Sequence, residues 1–249
     1  MSPQLLLAAL GGMSVFVAVE SVWVQRRILP PKYRQWLDFL PVQRTLLALY
    51  AVGLPYFALL SGLLPARFLG LRGWDILAAA FSPRPFSQFV PQALLGLGNT
   101  LYLWLPDFGA IITVTAILGG VLLVFLALNR TETLSPAVSE PSAFTALLDV
   151  VHWGFYRAIL WRLGGNLYFA VVGGILLMTL EWVAVARAGK FSPAETKRLA
   201  LRFGLGLVSS IAFIFAPNLW LAGLAQWALW WSVHLVVHLT SSELRIANE

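Results

Sequence analysis

His152 and Arg157 stand in the run His152-Trp153-Gly154-Phe155-Tyr156-Arg157, inside an apolar stretch from Leu147 to Leu163. An ionisable residue at membrane depth costs roughly 2.5–3.5 kcal/mol on insertion scales, so it points to function by default. A histidine can take or give a proton near neutral pH. Asp149 lies three residues before His152 and Tyr156 four residues after it, so all three fall on one side of a helix. Glu181, on the next apolar segment, offers a carboxylate to either His152 or Arg157. Such a set can perform acid–base chemistry or bind a ligand. It can equally hold helices together, since interhelical polar contacts in a bilayer contribute about 0.6 kcal/mol each on average.

A second pair, His234 and His238, has i,i+4 spacing, which puts both rings on one helix face. With a third ligand from elsewhere the pair would suit a metal. The zincin pattern needs glutamate directly after the first histidine, and Leu235 stands there, so no metal site is expected. Haem takes ligands from opposite sides of the porphyrin, and a single histidine suffices for a chlorophyll magnesium. His234, His238 and His152 are therefore the candidate residues for a chlorophyll-type pigment or haem. The structural alternative is an interfacial pair facing headgroups.

The remaining polar residues in apolar segments follow a recognisable order. His152 and Trp153 precede Phe155-Tyr156-Arg157; Leu177-Met178-Thr179-Leu180-Glu181 comes next; Leu219 to Gln226, followed by Trp230, comes last. In order and spacing the stretch from Ala143 to His238 resembles the CPBP family. These membrane proteases include the CAAX prenyl endopeptidases and bacteriocin-immunity-type proteins. The family carries Glu-Glu-x-x-x-Arg, then Phe-x-x-x-His, then His-x-x-x-Asn on successive helices, and its glutamate and histidines activate a water for peptide hydrolysis. In this chain Arg157 matches. His152 and Trp153 replace the two glutamates, Glu181 and Gln226 replace the histidines, and Trp230 replaces the asparagine. Trp153 and Gln226 cannot act as a base near neutral pH. The loss of several cooperating groups is rarely made good by one neighbour. The resemblance thus implies a CPBP-like fold with a dismantled active site. It also implies a non-catalytic role as an accessory, assembly or scaffolding subunit of a larger membrane complex. Because some relatives act without proteolysis in chlorophyll metabolism, a photosynthetic or bioenergetic complex is the implied host. Proteolysis by the altered residues, and binding of pigment, haem or lipid, stand as alternatives.

Composition sets the class. The 249 residues are 59% hydrophobic and 11% charged, with a mean hydropathy of +0.79. Soluble domains carry about 25% charged residues, so this chain lacks the polar surface to cover a water-soluble globule. It reads as a polytopic all-α membrane protein. The absence of cysteine excludes disulfides, thiolate metal sites and cysteine nucleophiles. A net charge of +6 carried in loops bears on membrane orientation rather than nucleic-acid binding. The expected surroundings are a lipid bilayer, that of the bacterial plasma membrane, and other membrane-protein subunits. The first apolar segment lacks a basic leader and is long for a signal-peptide core, so it is expected to be retained.

Apolar runs near the ~20 residues that span a bilayer occur at Leu5–Val24, Thr45–Leu64, Gln88–Leu105, Phe108–Leu128, Ala143–Leu163, Leu167–Ala188, Leu201–Phe215 and Leu219–Leu239. The third is interrupted by Pro91, Gly96, Gly98 and Asn99 and reads as a crossing or a re-entrant piece. Gln25–Arg44 (Arg26, Arg27, Lys32, Arg34, Arg44) and Ala188–Arg202 (Lys190, Lys197, Arg198, Arg202, with Arg187 just before it) are the most basic loops. The positive-inside rule places both on one side, which requires seven crossings and favours a non-crossing segment between Pro65 and Phe108. Ser192-Pro193-Ala194-Glu195 forms a capping box that starts a helix. Gly119-Gly120, Gly164-Gly165, Gly173-Gly174 and Gly204/Gly206 promise close helix approach. Glu20 and Asn99 are expected to face other helices. The chain has one membrane domain, 1–249, with a front half (1–128) and a CPBP-like back half (143–240) parted by the polar loop Asn129–Ser142.

Overall fold

A computed structural model describes residues 2–24, 28, 30, 32, 40–82, 85–128, 143–189 and 192–247. Arg26, Arg27, Arg34, Lys190 and the Asn129–Ser142 loop lie outside these residues. The described chain is helical: α1 (Pro3–Trp23), α2 (Leu40–Leu60), α3 (Ala66–Leu69), α4 (Trp74–Ala80), α5 (Phe86–Leu128), α6 (Ala143–Gly164), α7 (Leu167–Gly189), α8 (Pro193–Phe215) and α9 (Leu219–Ala247). Among the described residues five stretches are long and apolar enough to cross a membrane: Pro3–Ser21, Ser87–Leu126, Leu167–Arg187, Glu195–Phe215 and Leu219–Val237. The protein is therefore an all-α chain of membrane-protein type.

Local signals in the sequence set several helix ends. Ser2 accepts a hydrogen bond from the Leu5 N–H ahead of Pro3 and caps α1. The box at α8 is closed on both sides: Ser192 Oγ accepts from the Glu195 N–H at 3.3 Å, and Glu195 Oε2 accepts from the Ser192 N–H at 2.8 Å. Each satisfies a backbone donor that a helix start leaves open. Gly165 adopts φ +68° in the tight turn from α6 to α7, and Asn166 Oδ1 accepts from the Phe169 N–H to start α7. At positive φ a Cβ would clash with the backbone, so glycine is favoured there.

The third and fourth apolar runs are not separate elements. They form one helix, α5, of 43 residues with Pro91 and Pro106 inside it. Asp107 looked like the end of a span. Instead it is buried, ion-paired to Arg72 and bonded by Asn218 Nδ2 at 3.3 Å. Trp104 Nε1 donates to the Arg72 carbonyl at 3.0 Å, so the chain leading into α4 braces α5 at Pro106. At 1.5 Å per residue α5 is about 65 Å long, twice the ~30 Å hydrocarbon core.

Side-chain contacts fix the direction of each long helix. Tyr50 meets Ser14, while Ala58 and Leu64 join Leu7 and Leu10 in one core cluster, so α2 runs antiparallel to α1. On α7, Gly173 meets Leu160, Gly174 meets Arg157 and Glu181 meets His152, so α7 runs antiparallel to α6. α8 is parallel to α6 in a constant register: Asp149 pairs with Arg202, Trp153 with Gly206 and Arg157 with Ser210. α9 returns after Asn218. Ile111 packs with Ala216 and Leu221, Gly119 with Leu229, and Leu126 with Leu201 and Val237. The second half of α5 therefore runs alongside α8 and α9, and its first half extends past the turn between them. That first half leans on α4, with Ala93, Gly96 and Thr100 buried. Asn99 lies off this stripe and is exposed, contrary to the expectation that it faces another helix, and Glu20 is half-buried.

α6 is the centre of the bundle. It packs against α1, α2, α3, α7, α8 and α9, and every residue from His152 to Ile159 is buried. Its polar residues keep it out of the five membrane-length apolar stretches, yet it is the most enclosed helix. An ionisable side chain is tolerated at this depth only when protein surrounds and pairs it.

Candidate functional site

Two strips of α6 carry its polar side chains, and they face different partners. His152 and Tyr156 form the first strip. His152 Nε2 lies 3.0 Å from Glu181 Oε2 and 3.3 Å from Oε1. Tyr156 donates its hydroxyl to Glu181 Oε2 at 2.5 Å. Tyr50, on α2, donates to Glu181 Oε1 at 3.0 Å and also lies 3.1 Å from His152 Nε2. The Ser14 hydroxyl, on α1, bridges the two phenols, 3.4 Å from Tyr50 and 3.2 Å from Tyr156. Tyr50, His152 and Tyr156 thus converge on one buried carboxylate, and with Glu181 and Ser14 the cluster comprises five side chains from four helices. An ionised carboxylate only accepts hydrogen bonds, and all three groups that reach Glu181 are able to donate. The rings pack as well: His152 is 4.6 Å from the Tyr50 ring and 5.0 Å from the Tyr156 ring, centroid to centroid.

The second strip faces α8. Asp149 does not join His152, although it lies three residues away. Arg202 holds it through both Nε, at 3.2 Å, and Nη2. One turn on, Trp153 lies over Gly206 and meets Trp182 edge-on at 5.6 Å. A further turn on, Arg157 has no carboxylate partner among the described residues; of the two partners open to Glu181, His152 takes it. Its Nη1 donates to Ser210 Oγ at 3.3 Å, and its guanidinium stacks 4.1 Å over the Phe213 ring.

The positions singled out in the sequence are therefore brought together in part. His152 and Glu181 meet; Trp153 packs beside them on the α8 side. Gln226 is buried, but neither its amide oxygen nor its nitrogen has a hydrogen-bond partner among the described residues. His234 is half-buried on α9, edge-on to Trp231 at 6.0 Å. The side chain of His238 lies outside the described residues. Among the described residues no three His, Asp or Glu side chains cluster as a metal site would need. Ser14 and Tyr50 were missed. Neither stands in a spacing pattern that sets it apart from the other polar residues of its run, and only the packing of α1 and α2 on α6 gives them a role.

The arrangement restricts the chemistry available. A general base must reach the proton it removes, directly or through one water. Both oxygens of Glu181 already accept bonds from protein donors, and His152 Nε2 is turned to the same carboxylate. The only other ring nitrogen, His152 Nδ1, is buried without a hydrogen-bond partner among the described residues. No family model, curated protein or solved structure matches this chain.

Proposed function

We propose that this chain is a catalytically inactive membrane protein of CPBP-like design, acting as an accessory or scaffolding subunit of a larger membrane complex. The observation that carries the proposal is the saturation of Glu181. The one carboxylate in the motif positions is held by Tyr50, Tyr156 and His152 rather than left open to a water and a substrate. The cluster serves to tie α1, α2, α6 and α7 together. The subunit reading is supported by the first half of α5, where Leu94, Leu95, Leu101 and Tyr102 are exposed on a helix that outruns the turn between α8 and α9. Apolar surface in that position needs a cover of lipid or protein.

The expected result is that purified protein cleaves no fluorogenic membrane peptide above the level of the His152→Ala and Glu181→Ala variants, and that it leaves mild detergent with a stoichiometric partner. Cleavage abolished by either substitution would overturn the inactive reading. A lone monomer would overturn the subunit reading.

The helix directions also support seven crossings. α1 ends and α2 begins at the end of the bundle where α7 ends and α8 begins, so both basic loops attach there, and that end is cytoplasmic by the positive-inside rule. The natural chain has no cysteine, so single-cysteine labelling has no background. Lys32→Cys and Lys197→Cys will react with an impermeant maleimide from one side of the membrane, and Ser82→Cys from the other. Opposite-side labelling of the first two sinks the seven-crossing arrangement.

A further inference from the structure

Arg157 is 2% exposed, the largest of the fully buried side chains. Burying an unpaired cation is among the costliest arrangements in a protein. Yet Nε and Nη2 of Arg157 have no hydrogen-bond partner among the described residues. These two atoms are the same edge of the guanidinium that Arg202 turns to Asp149, where Nε and Nη2 hold the two carboxylate oxygens. The chain thus contains one filled fork and one open fork, two turns apart along the same α6–α8 seam.

The surroundings of the open fork are adapted to a guanidinium. A Cβ on Gly174 would lie 2.7 Å from Arg157 Cγ, so this glycine makes room for the side chain. Phe213 supports one face of the planar group at 4.1 Å and Ser210 takes the remaining nitrogen, Nη1. Such contacts orient the fork without neutralising it. Stacking on a ring and a neutral hydroxyl suit an arginine that binds a two-oxygen anion bidentately. Arg157 lies eight residues before the Gly165 turn, about 12 Å along the helix.

We propose that the Nε/Nη2 fork of Arg157 is a binding site for an oxoanion, a carboxylate or a phosphate, carried either by an amphiphile or by a small soluble anion. The site is independent of the Glu181 cluster and of whether the chain is catalytic.

The test uses full-length protein delipidated in detergent and probed with oleate, phosphatidylglycerol, acetate and inorganic phosphate, by thermal shift and native mass spectrometry. Saturable one-to-one binding is expected, weakened at least tenfold in Arg157→Gln and retained in Gly120→Ala, a change in open space away from this seam. Retention of oleate or phosphatidylglycerol alone assigns an amphiphile; binding of acetate or phosphate as well assigns a soluble anion. Either result supports the site. Binding that is equal in Arg157→Gln overturns it. So does wild-type protein that neither retains a lipid nor shifts with any of the four probes, a result that needs no variant to fold.

Discussion

Glu181→Ala will destabilise the protein by about 3 kcal/mol, the range for breaking one partner out of a buried ion pair. Three hydrogen bonds disappear, worth roughly 2 kcal/mol together at the average measured between membrane helices. The stranded groups add to this, because Tyr50, Tyr156 and His152 then keep donors with nowhere to point. Glu181→Gln will cost about half as much. It preserves one accepting oxygen but turns an amide N–H₂ toward a hydroxyl or imidazole that also wants to donate. The informative variant is the fourfold one, Tyr50→Phe, His152→Leu, Tyr156→Phe and Glu181→Met together. It removes Glu181 and every group bonded to it while keeping volume, leaving only the Ser14 hydroxyl, and replacing a buried polar set by apolar groups is often close to neutral. Reversible unfolding in mixed micelles should order the set as wild type, near the fourfold variant, above Glu181→Gln, above Glu181→Ala. A fourfold variant that is as stable as wild type but fails to assemble with its complex would assign the cluster to recognition. A Glu181→Gln variant indistinguishable from wild type would show that the carboxylate holds nothing.

The meeting of His152 with Glu181 was legible because both are expensive where they stand. Two ionisable side chains on successive apolar helices have few ways to be satisfied other than each other. Pairing Arg157 with a carboxylate followed the same logic and failed, because the competing carboxylates were already taken. Asp149 went to Arg202 and Glu181 to His152. Periodicity puts Asp149, Trp153 and Arg157 on a strip adjacent to that of His152 and Tyr156, but it does not say which helix covers which strip. That decision belongs to the parallel register of α6 and α8, for which the sequence holds only Gly206 as a hint.

The length of α5 was illegible for a different reason. A proline inside an apolar helical run normally kinks or ends the helix, and here an aspartate follows it. Pro106-Asp107 fails to do so because Arg72 and Asn218, both distant in sequence, neutralise and bond the aspartate. The glycine pairs were only partly informative: Gly173, Gly174, Gly206 and Gly119 lie against other helices, while a Cβ on Gly120 would meet nothing within 4 Å. A small residue permits close approach without requiring it.

Gly206 is where that difference has the greatest consequence. A Cβ there would lie 2.6–3.0 Å from three ring carbons of Trp153. The ring has little room to retreat, since Trp182 stands edge-on at 5.6 Å and is itself met by Phe203 at 5.3 Å. Moving α8 outward is no easier, because Asp149–Arg202 and Arg157–Ser210 grip it one turn to either side. Gly206→Ala will therefore cost about 2 kcal/mol, within the range for overpacking a filled core, and Gly206→Val more. Gly120→Ala adds the same methyl group to a helix in open space and should be neutral or stabilising by up to about 1 kcal/mol, the helix propensity gained. Trp153→Leu should restore most of the loss when combined with Gly206→Ala, although alone it opens a cavity. Recovery in the double variant traces the effect to this one contact. If the two losses simply add, α6 and α8 are held apart by something other than the Trp153 ring.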